Sequence, residues 1–409
     1  MNVYGTNLSE TLDAADGVTN GADTIFGYGG NDSIFGLGGN DEIKGGGGAD
    51  AINGGSGTDT ANYSDSSAGV VVSLITNQGF GGTAEGDTLT SIENLTGSSH
   101  ADFLVGNDGA NVLTGLEDDD VLKGGGGADT LYGDSGSDTL KGGGGADTLN
   151  GGSGIDTANY YDSSAGVFIS LYNDVAAYGD AEGDELNSIE NVTGSAFDDD
   201  LWGNDGANVL RGNDGEDSLK GFGGADTIYG GDHNDYILGM DGTDTIYGGN
   251  GLDDINGGNG VDTILGEANN DTVHGGAGAD AIAGGDGADV LWGDADADVI
   301  FGEAGADLII GGTGADILRG GLGGDLFSYN LGDQGDLIQN FNEGGVRDGF
   351  DLRPFFDTAG YAGTDPRGDG IMQVLQNGAD TDVYLYDTFI FRIEGVVAAA
   401  IDDTYFIFQ

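Results

Sequence analysis

A nine-residue period runs through most of this 409-residue chain, and it leaves few folds open. Three blocks keep an unbroken register: residues 27–62 hold four units, 97–159 hold seven and 194–328 hold fifteen. Position six is Asp in 24 of these 26 units, with Asn111 and Asn208 in the other two. Position eight is nearly always apolar, as at Ile34, Leu131, Ile228 and Leu291. Glycine fills the rest: there are 87, about three times the usual share. Only two prolines and no period of three exclude a collagen helix or a polyproline linker. A longer repeat overlies the short one. Gly45–Leu122 matches Gly142–Leu219 at a constant offset of 97, which points to a segmental duplication. Each copy holds a glycine-poor spacer, 63–96 and 160–193, whose runs VVVSLI and VFISLY read as strands.

Such a chain has an electrostatic problem. It carries 72 acidic residues against 10 basic ones, a formal charge of −62. Alone it should repel itself and stay expanded. Nucleic acid and membrane insertion are excluded as partners on charge and on the absence of any long apolar run. There is no cysteine, so no disulfide staples the fold. The first residues, MNVYGTNLSETLDAADGV, have neither a basic stretch nor an apolar core, so no cleavable signal peptide is expected.

The unit GGxGxDxUx resembles the hemolysin-type calcium-binding (RTX) nonapeptide, over roughly residues 18 to 328. The resemblance implies an all-β fold, a parallel β-roll of 18-residue coils with calcium stacked in the turns. In that fold six residues turn and three form a short strand. The residues expected to hold metal are Asp32, Asp41, Asp50 and Asp59 in the first block, and Asp120, Asp129, Asp138, Asp147 and Asp156 in the second. In the third they are Asp217, Asp226, Asp235, Asp244, Asp253, Asp262, Asp271, Asp280, Asp289, Asp298, Asp307, Asp316 and Asp325. Calcium takes six to eight oxygens, from carboxylates and carbonyls alike. If each site needs turns two units apart, the three blocks offer up to about 20 ions. Folding and calcium binding should then be one event.

The domain organisation expected is a roll block over 1–62, a spacer over 63–96, a block over 97–159, a spacer over 160–193, a long block over 194–328 and a small β-rich cap over 329–409. Strand alternation sends position eight inward and positions seven and nine outward. Position nine holds every basic residue outside the cap: Lys44, Lys123, Lys141, Arg211, Lys220 and Arg319. It also holds Phe35, Tyr132, Trp202, Tyr229, Tyr247, Trp292 and Phe301. From Asp289 onward position seven turns apolar as well, through Val290, Val299, Leu308, Ile317 and Leu326. That stripe is expected to be covered, by residues 329–409 folding back or by another subunit. The cap, with runs such as GDLIQNF and DVYLYDTFIFRI, is similar to C-terminal target regions of type I secretion substrates.

No catalytic set is found. His100, His233 and His274 are too scattered for a zinc site, and the repeat begins early enough to leave no room for an enzyme domain ahead of it. The expected function is a secreted, extracellular structural protein, a homo-oligomer or polymer formed through strand faces and roll ends. No polar cap is seen before the first coil, so that end is expected to be open. The alternative is an adhesion module that binds polysaccharide through the aromatic residues at position nine.

Overall fold

The computed structural model describes residues 1–330 and, beyond them, 332–333, 335–342, 347–354, 359, 367, 372–385, 388–401 and 403–407. The sequence pattern resolves into two compact units, Met1–Ala196 and Phe197–Gln409, each built the same way. Every nonapeptide gives one strand, and strands 18 residues apart pair in parallel and in register: Thr130↔Thr148, Leu131↔Leu149, Tyr132↔Asn150. Odd and even units therefore fall on two opposed sheets. Position eight alternates inward and is fully buried from Ile25 to Phe327. The core is thus a file of single Leu, Ile and Val side chains, each contributing roughly 1.5–3 kcal/mol by burial. Positions seven and nine flank it half-exposed, as expected.

Strand length departs from the three residues that the resemblance implies. Between Val112 and Ser153, and again between Val209 and Leu322, most strands run six or seven residues, from position seven through position three of the next unit. Throughout the first block the strands keep three residues, with isolated bridges such as Gly29↔Gly47 beyond them, and three-residue strands recur at the ends of the other blocks, as at Phe103–Val105 and Leu326–Ser328. The glycine-rich half of the unit is itself part of the ladder. Glycine often stands at position four, where a Cβ built on Gly145 would lie 1.4 Å from the Gly127 carbonyl oxygen, although Asp118, His233, Asn269 and Asp296 take the same position with positive φ.

The first unit starts ahead of the repeat block, and its first strand leaves one edge unpaired. Asn2–Tyr4 pairs with Thr24–Phe26, and Thr11–Leu12 with Ser33–Ile34, so residues 2–12 form an additional coil. The coils extend ahead of the unbroken register that starts at Gly27: Asp23 lies nine residues before Asp32, and Glu10, off that spacing, takes the same place in one more turn, each followed by a buried residue two places on, Ile25 and Leu12. Both spacers also join the roll. Thr88–Thr90 stacks on Ala51–Asn53 and Asn94–Thr96 on Thr60–Asn62, while Val71–Ser73 pairs with Phe103–Val105 and forms a hairpin with Gln78–Phe80.

In the second unit the described C-terminal residues take the sheet edges rather than the apolar face. Asp336–Gln339 adds to Ile317–Leu322, Thr388–Ile393 adds to Asp336–Gln339, and Gly349–Asp351 adds to Leu326–Ser328. The strands read at MQVLQ and DVYLYDTFIFRI appear as Met372–Asn377, Asp380–Leu385 and Thr388–Ile393; the end of the TYFIF run lies outside the described residues. Arg392 clasps Asp382 through two hydrogen bonds of 2.7 and 3.1 Å, tying the hairpin across its strands. Val290, Val299, Leu308, Ile317 and Leu326 are half-buried, each shielded by its neighbours one coil away.

Candidate metal sites

The turns stack as the strands do, and position six forms a ladder of its own. Within the blocks the backbone N–H of each Asp donates to Oδ1 of the Asp one coil further on: Asp129 to Asp147 at 2.8 Å, Asp138 to Asp156 at 2.8 Å, Asp307 to Asp325 at 3.2 Å; where a block meets a spacer, the spacer's acids take that place. One oxygen of every carboxylate is thereby used. The other, Oδ2, is buried with no hydrogen-bond partner at all twenty-two of the expected metal residues. A buried polar atom without a partner is rare, and a buried charge without one is costly. Twenty-two repeated orphans make one chemical demand, which a cation bound by oxygen would meet.

The surroundings fit that donor set. A Cβ built on Gly124 would lie 2.2 Å from Asp129 Oδ2 and 2.6 Å from the Gly142 carbonyl oxygen; on Gly143 it would lie 2.0 Å from the Gly125 carbonyl oxygen. Carboxylate and main-chain oxygens therefore converge on the glycine half of the turn, where no side chain intrudes. All donors are oxygen, the preference of a hard cation, and a cage of carboxylates with carbonyls suits calcium better than magnesium. Among the described residues no three His, Asp or Glu side chains gather at one point. The oxygens at hand beside each pair of carboxylates are main-chain carbonyls of the glycine half.

Without a cation these carboxyls are held far from their usual range. Burial pushes Asp120, Asp235 and Asp298 up to about 8, and Asp217, Asp226, Asp271 and Asp307 up to about 7, against the backbone N–H each accepts. Carboxylates one coil away add to the shift, as Asp102 and Asp138 do at Asp120. A bound divalent ion reverses this local electrostatics.

Not every turn is built this way. At position two of all twenty-two orphan-bearing units the backbone has positive φ, whether the residue is Gly125 (+114°), Phe222 (+75°), Met240 (+77°) or Glu303 (+72°). We call these turns open. For a non-glycine residue this conformation costs about 1 kcal/mol. In the first coil of each block the turn is closed instead. The position-two N–H folds in and donates to the position-six side chain: Thr19 to Asp23 at 2.7 Å, Ser98 to Asp102, Asn107 to Asn111 at 2.7 Å, Asn204 to Asn208 at 2.7 Å. Thr6 does the same to Glu10. The position-two side-chain oxygen then accepts a second N–H two residues on, as Asn107 does from Gly109 and Asn204 from Gly206, both a local turn motif of these residue types. Asp23 also holds the N-terminal ammonium at 2.7 Å. The closed turns leave no orphaned oxygen, and Asp102 and Asp23 are spent on protein donors.

The spacers are satisfied internally too. Asp50 N–H donates to Asp87 Oδ1 at 2.8 Å, and Asp87 Oδ2 accepts from the buried Tyr63 hydroxyl at 3.3 Å. The second spacer repeats this with Asp147, Asp184 and Tyr160 at 2.8 and 3.0 Å. Glu93 and Glu190 receive the N–H groups of Asp59 and Asp156. Sequence reading singled out neither the tyrosines nor these acids; the signal available was the matched copy of each, 97 residues apart. A third feature escaped it. Asp336, beyond the last nonapeptide, accepts the Asp316 N–H at 3.1 Å and also has a buried Oδ2 without a partner.

Fold and turns together define a class: a parallel β-roll with buried, unpartnered carboxylate oxygens stacked in its turns, a donor set that fits a hard cation. The family model described as the RTX calcium-binding nonapeptide repeat matches residues 18–43, 26–61, 96–131, 123–158, 187–219, 202–237, 220–255, 229–264, 256–291 and 292–327, together more than half of the chain. The chain belongs to this family, and it is a calcium-binding β-roll protein. No curated protein matches it beyond that. No helix among the described residues is long and apolar enough to cross a membrane.

Proposed function

We propose that this is a secreted, non-catalytic structural protein whose rolls fold on calcium outside the cell and then assemble with further copies into a layer, filament or matrix. The observation that carries the reading is the set of twenty-two buried, unpartnered carboxylate oxygens. A chain that must bury these carboxylates in their ionised form at neutral pH is self-repelling until a cation arrives, so assembly of the cage and of the fold are linked. Extracellular calcium modules work at roughly 10⁻⁴–10⁻³ M, a level that keeps such a chain unfolded before export. The likeness of residues 329–409 to type I secretion target regions supports that route.

The ion count follows from the turns. An ion that needs open turns one coil apart finds two such pairs in the first block, three in the second and eleven in the third, about 16 in place of about 20. Calcium supplies charge neutralisation and cross-links successive turns; the aspartates orient the cage and the glycines leave room for it.

Assembly is supported by the first coil. Tyr4, Phe26 and Tyr28 stack there at 5.2–6.5 Å, and Met1, Tyr4, Leu8 and Tyr28 are exposed beside an unpaired strand edge. The binding-module reading has its own support: Tyr229 and Tyr247 stack at 4.9 Å within 5° of parallel, and His274 and Trp292 at 4.2 Å within 3°. Electron microscopy and sedimentation in millimolar calcium separate the two. Ordered sheets or filaments that vanish with chelator, and weaken in the Tyr4→Ser/Tyr28→Ser variant, support assembly. A monomer at all concentrations that binds a glycan, and loses it in Tyr247→Ala, supports the module.

A further inference from the structure

The nonapeptides end at Ser328, but the metal geometry does not. We propose a further calcium site between Asp316 and Asp336, completed by the Tyr329 hydroxyl, that locks the C-terminal segment onto the end of the roll. The inference rests on the calcium reading of the open turns and extends it to residues outside the repeat pattern.

Asp336 continues the position-six ladder across a 20-residue step instead of 18. It accepts the Asp316 N–H at 3.1 Å, and Leu337 N–H returns to the Asp316 carbonyl at 2.7 Å, as Thr148 returns to Asp129 inside the blocks. Gly332, four residues earlier, has φ of +123°, matching position two of the open turns. Oδ2 of Asp316 and Oδ2 of Asp336 are both buried without an N–H or hydroxyl donor, and the two carboxyls lie close enough to share a proton between them, a place a cation can take.

Tyr329 supplies the independent observation. Its side chain is fully buried, its ring stacks on Phe391 at 4.5 Å, and its hydroxyl has no hydrogen-bond partner. Asp336, Asp333 and Asp316 are the carboxylates acting on that hydroxyl; Asp333 is already occupied, accepting the Asn330 N–H at 2.6 Å. The spacers show what the same two residue types do when no ion is needed. Tyr63 donates to Asp87 and Tyr160 to Asp184, at 3.3 and 3.0 Å, and both partners are satisfied. At Tyr329 and Asp336 the groups stay apart, and each is left unsatisfied. A cation accepts oxygen from a neutral hydroxyl and two carboxylates at once, which removes all three orphans together.

The consequence is mechanical. Asp336–Gln339 is the strand on which Thr388–Ile393 pairs, and Gly335 N–H donates to the Ile390 carbonyl at 2.7 Å. An ion beside Asp336 therefore fixes the root of the hairpin Asp380–Ile393.

The test is native mass spectrometry of the full chain in calcium, with hydrogen exchange over residues 380–393. Asp336→Asn should bind one ion fewer than the parent and lose protection in 380–393, while Asp87→Asn keeps the full count. Asp129→Asn is the control for the underlying reading and should also lose ions. If Asp129→Asn loses ions and Asp336→Asn does not, this site is refuted while the open-turn reading stands; if neither loses any, the open-turn reading itself falls. Should Asp336→Asn not fold, Tyr329→Phe takes its place. It should raise the calcium concentration that half-protects 380–393 severalfold, and an unchanged midpoint would overturn the proposal.

Discussion

The first coil of the second block and the coil above it contain the same kind of residue in the same place and put it to opposite use. Asp102 sits in a closed turn, its carboxylate taken by Val70 N–H and by Ser98. Asp120, one coil on, sits in an open turn with Oδ2 buried and unpaired. The strands above and below are alike, and Leu104 and Leu122 are equally buried. The difference lies at position two, where Ser98 has ordinary backbone angles and Leu116 has φ of +95°. Flipping that one peptide withdraws an N–H from the acid. Position six supplies the charge, but position two decides whether protein or metal neutralises it. Closed coils at the start of each block, and Tyr–Asp pairs in the spacers, are then stretches whose carboxylates are satisfied by protein donors, on either side of the runs of orphaned oxygens.

The comparison can be broken in several ways, the largest first. Removing calcium with a chelator should abolish the β-sheet circular dichroism of both units; a chain that stays folded would mean that the orphaned oxygens are tolerated without metal. Next in size, Leu131→Ala in the calcium-bound protein should cost about 3 kcal/mol by denaturant titration, since the core is one residue wide and cannot collapse around the cavity. Asp129→Asn should remove ions and lower the unfolding midpoint, whereas Asp102→Asn should leave the count unchanged. Equal effects of the two would erase the distinction between open and closed turns.

Acidity should act in opposite directions with and without metal. Aspartates with an ordinary value of 3.8 are raised to about 6–8 in the metal-free roll, as at Asp129 and Asp120. The folded metal-free state then binds more protons than the unfolded one, so its stability is greatest below about pH 4 and is lost as pH rises towards 8. In chelator, residual β-structure should therefore increase on acidification. With calcium present protons compete for the same oxygens, and the half-saturating calcium concentration should rise between pH 8 and 6. Matching trends under both conditions would contradict the assignment. The smallest effect is expected from Ser98→Gly, which frees Asp102 and should admit at most one additional ion; no gain, with the turn still closed, would show that Ser98 does not hold it shut.

Much of this was legible in the primary structure because its causes are periodic. The nine-residue spacing located the core at position eight and twenty-two of the twenty-three described aspartates whose Oδ2 is orphaned, all but Asp336. What stayed hidden depends on the sign of one dihedral or on broken spacing. Asn204 closes its turn while Asn213, also at position two, has φ of +82° and lies in an open one, so residue type alone does not announce the state. The coil formed by residues 2–12 and the step to Asp336 depart from the nine-residue count, and a periodic search passes over them. The pairing of Tyr63 with Asp87 joins residues 24 apart within a segment that has no lattice at all.

The most direct test of the account is the number of calcium ions held by the folded full-length chain, read by native mass spectrometry across a calcium titration. Open turns that face open turns, with the site at Asp336, should give about 17 ions. A plateau at 20 or more would mean that closed turns and spacers bind as well, and a folded chain with few or none would contradict the claim that these buried aspartates await a metal.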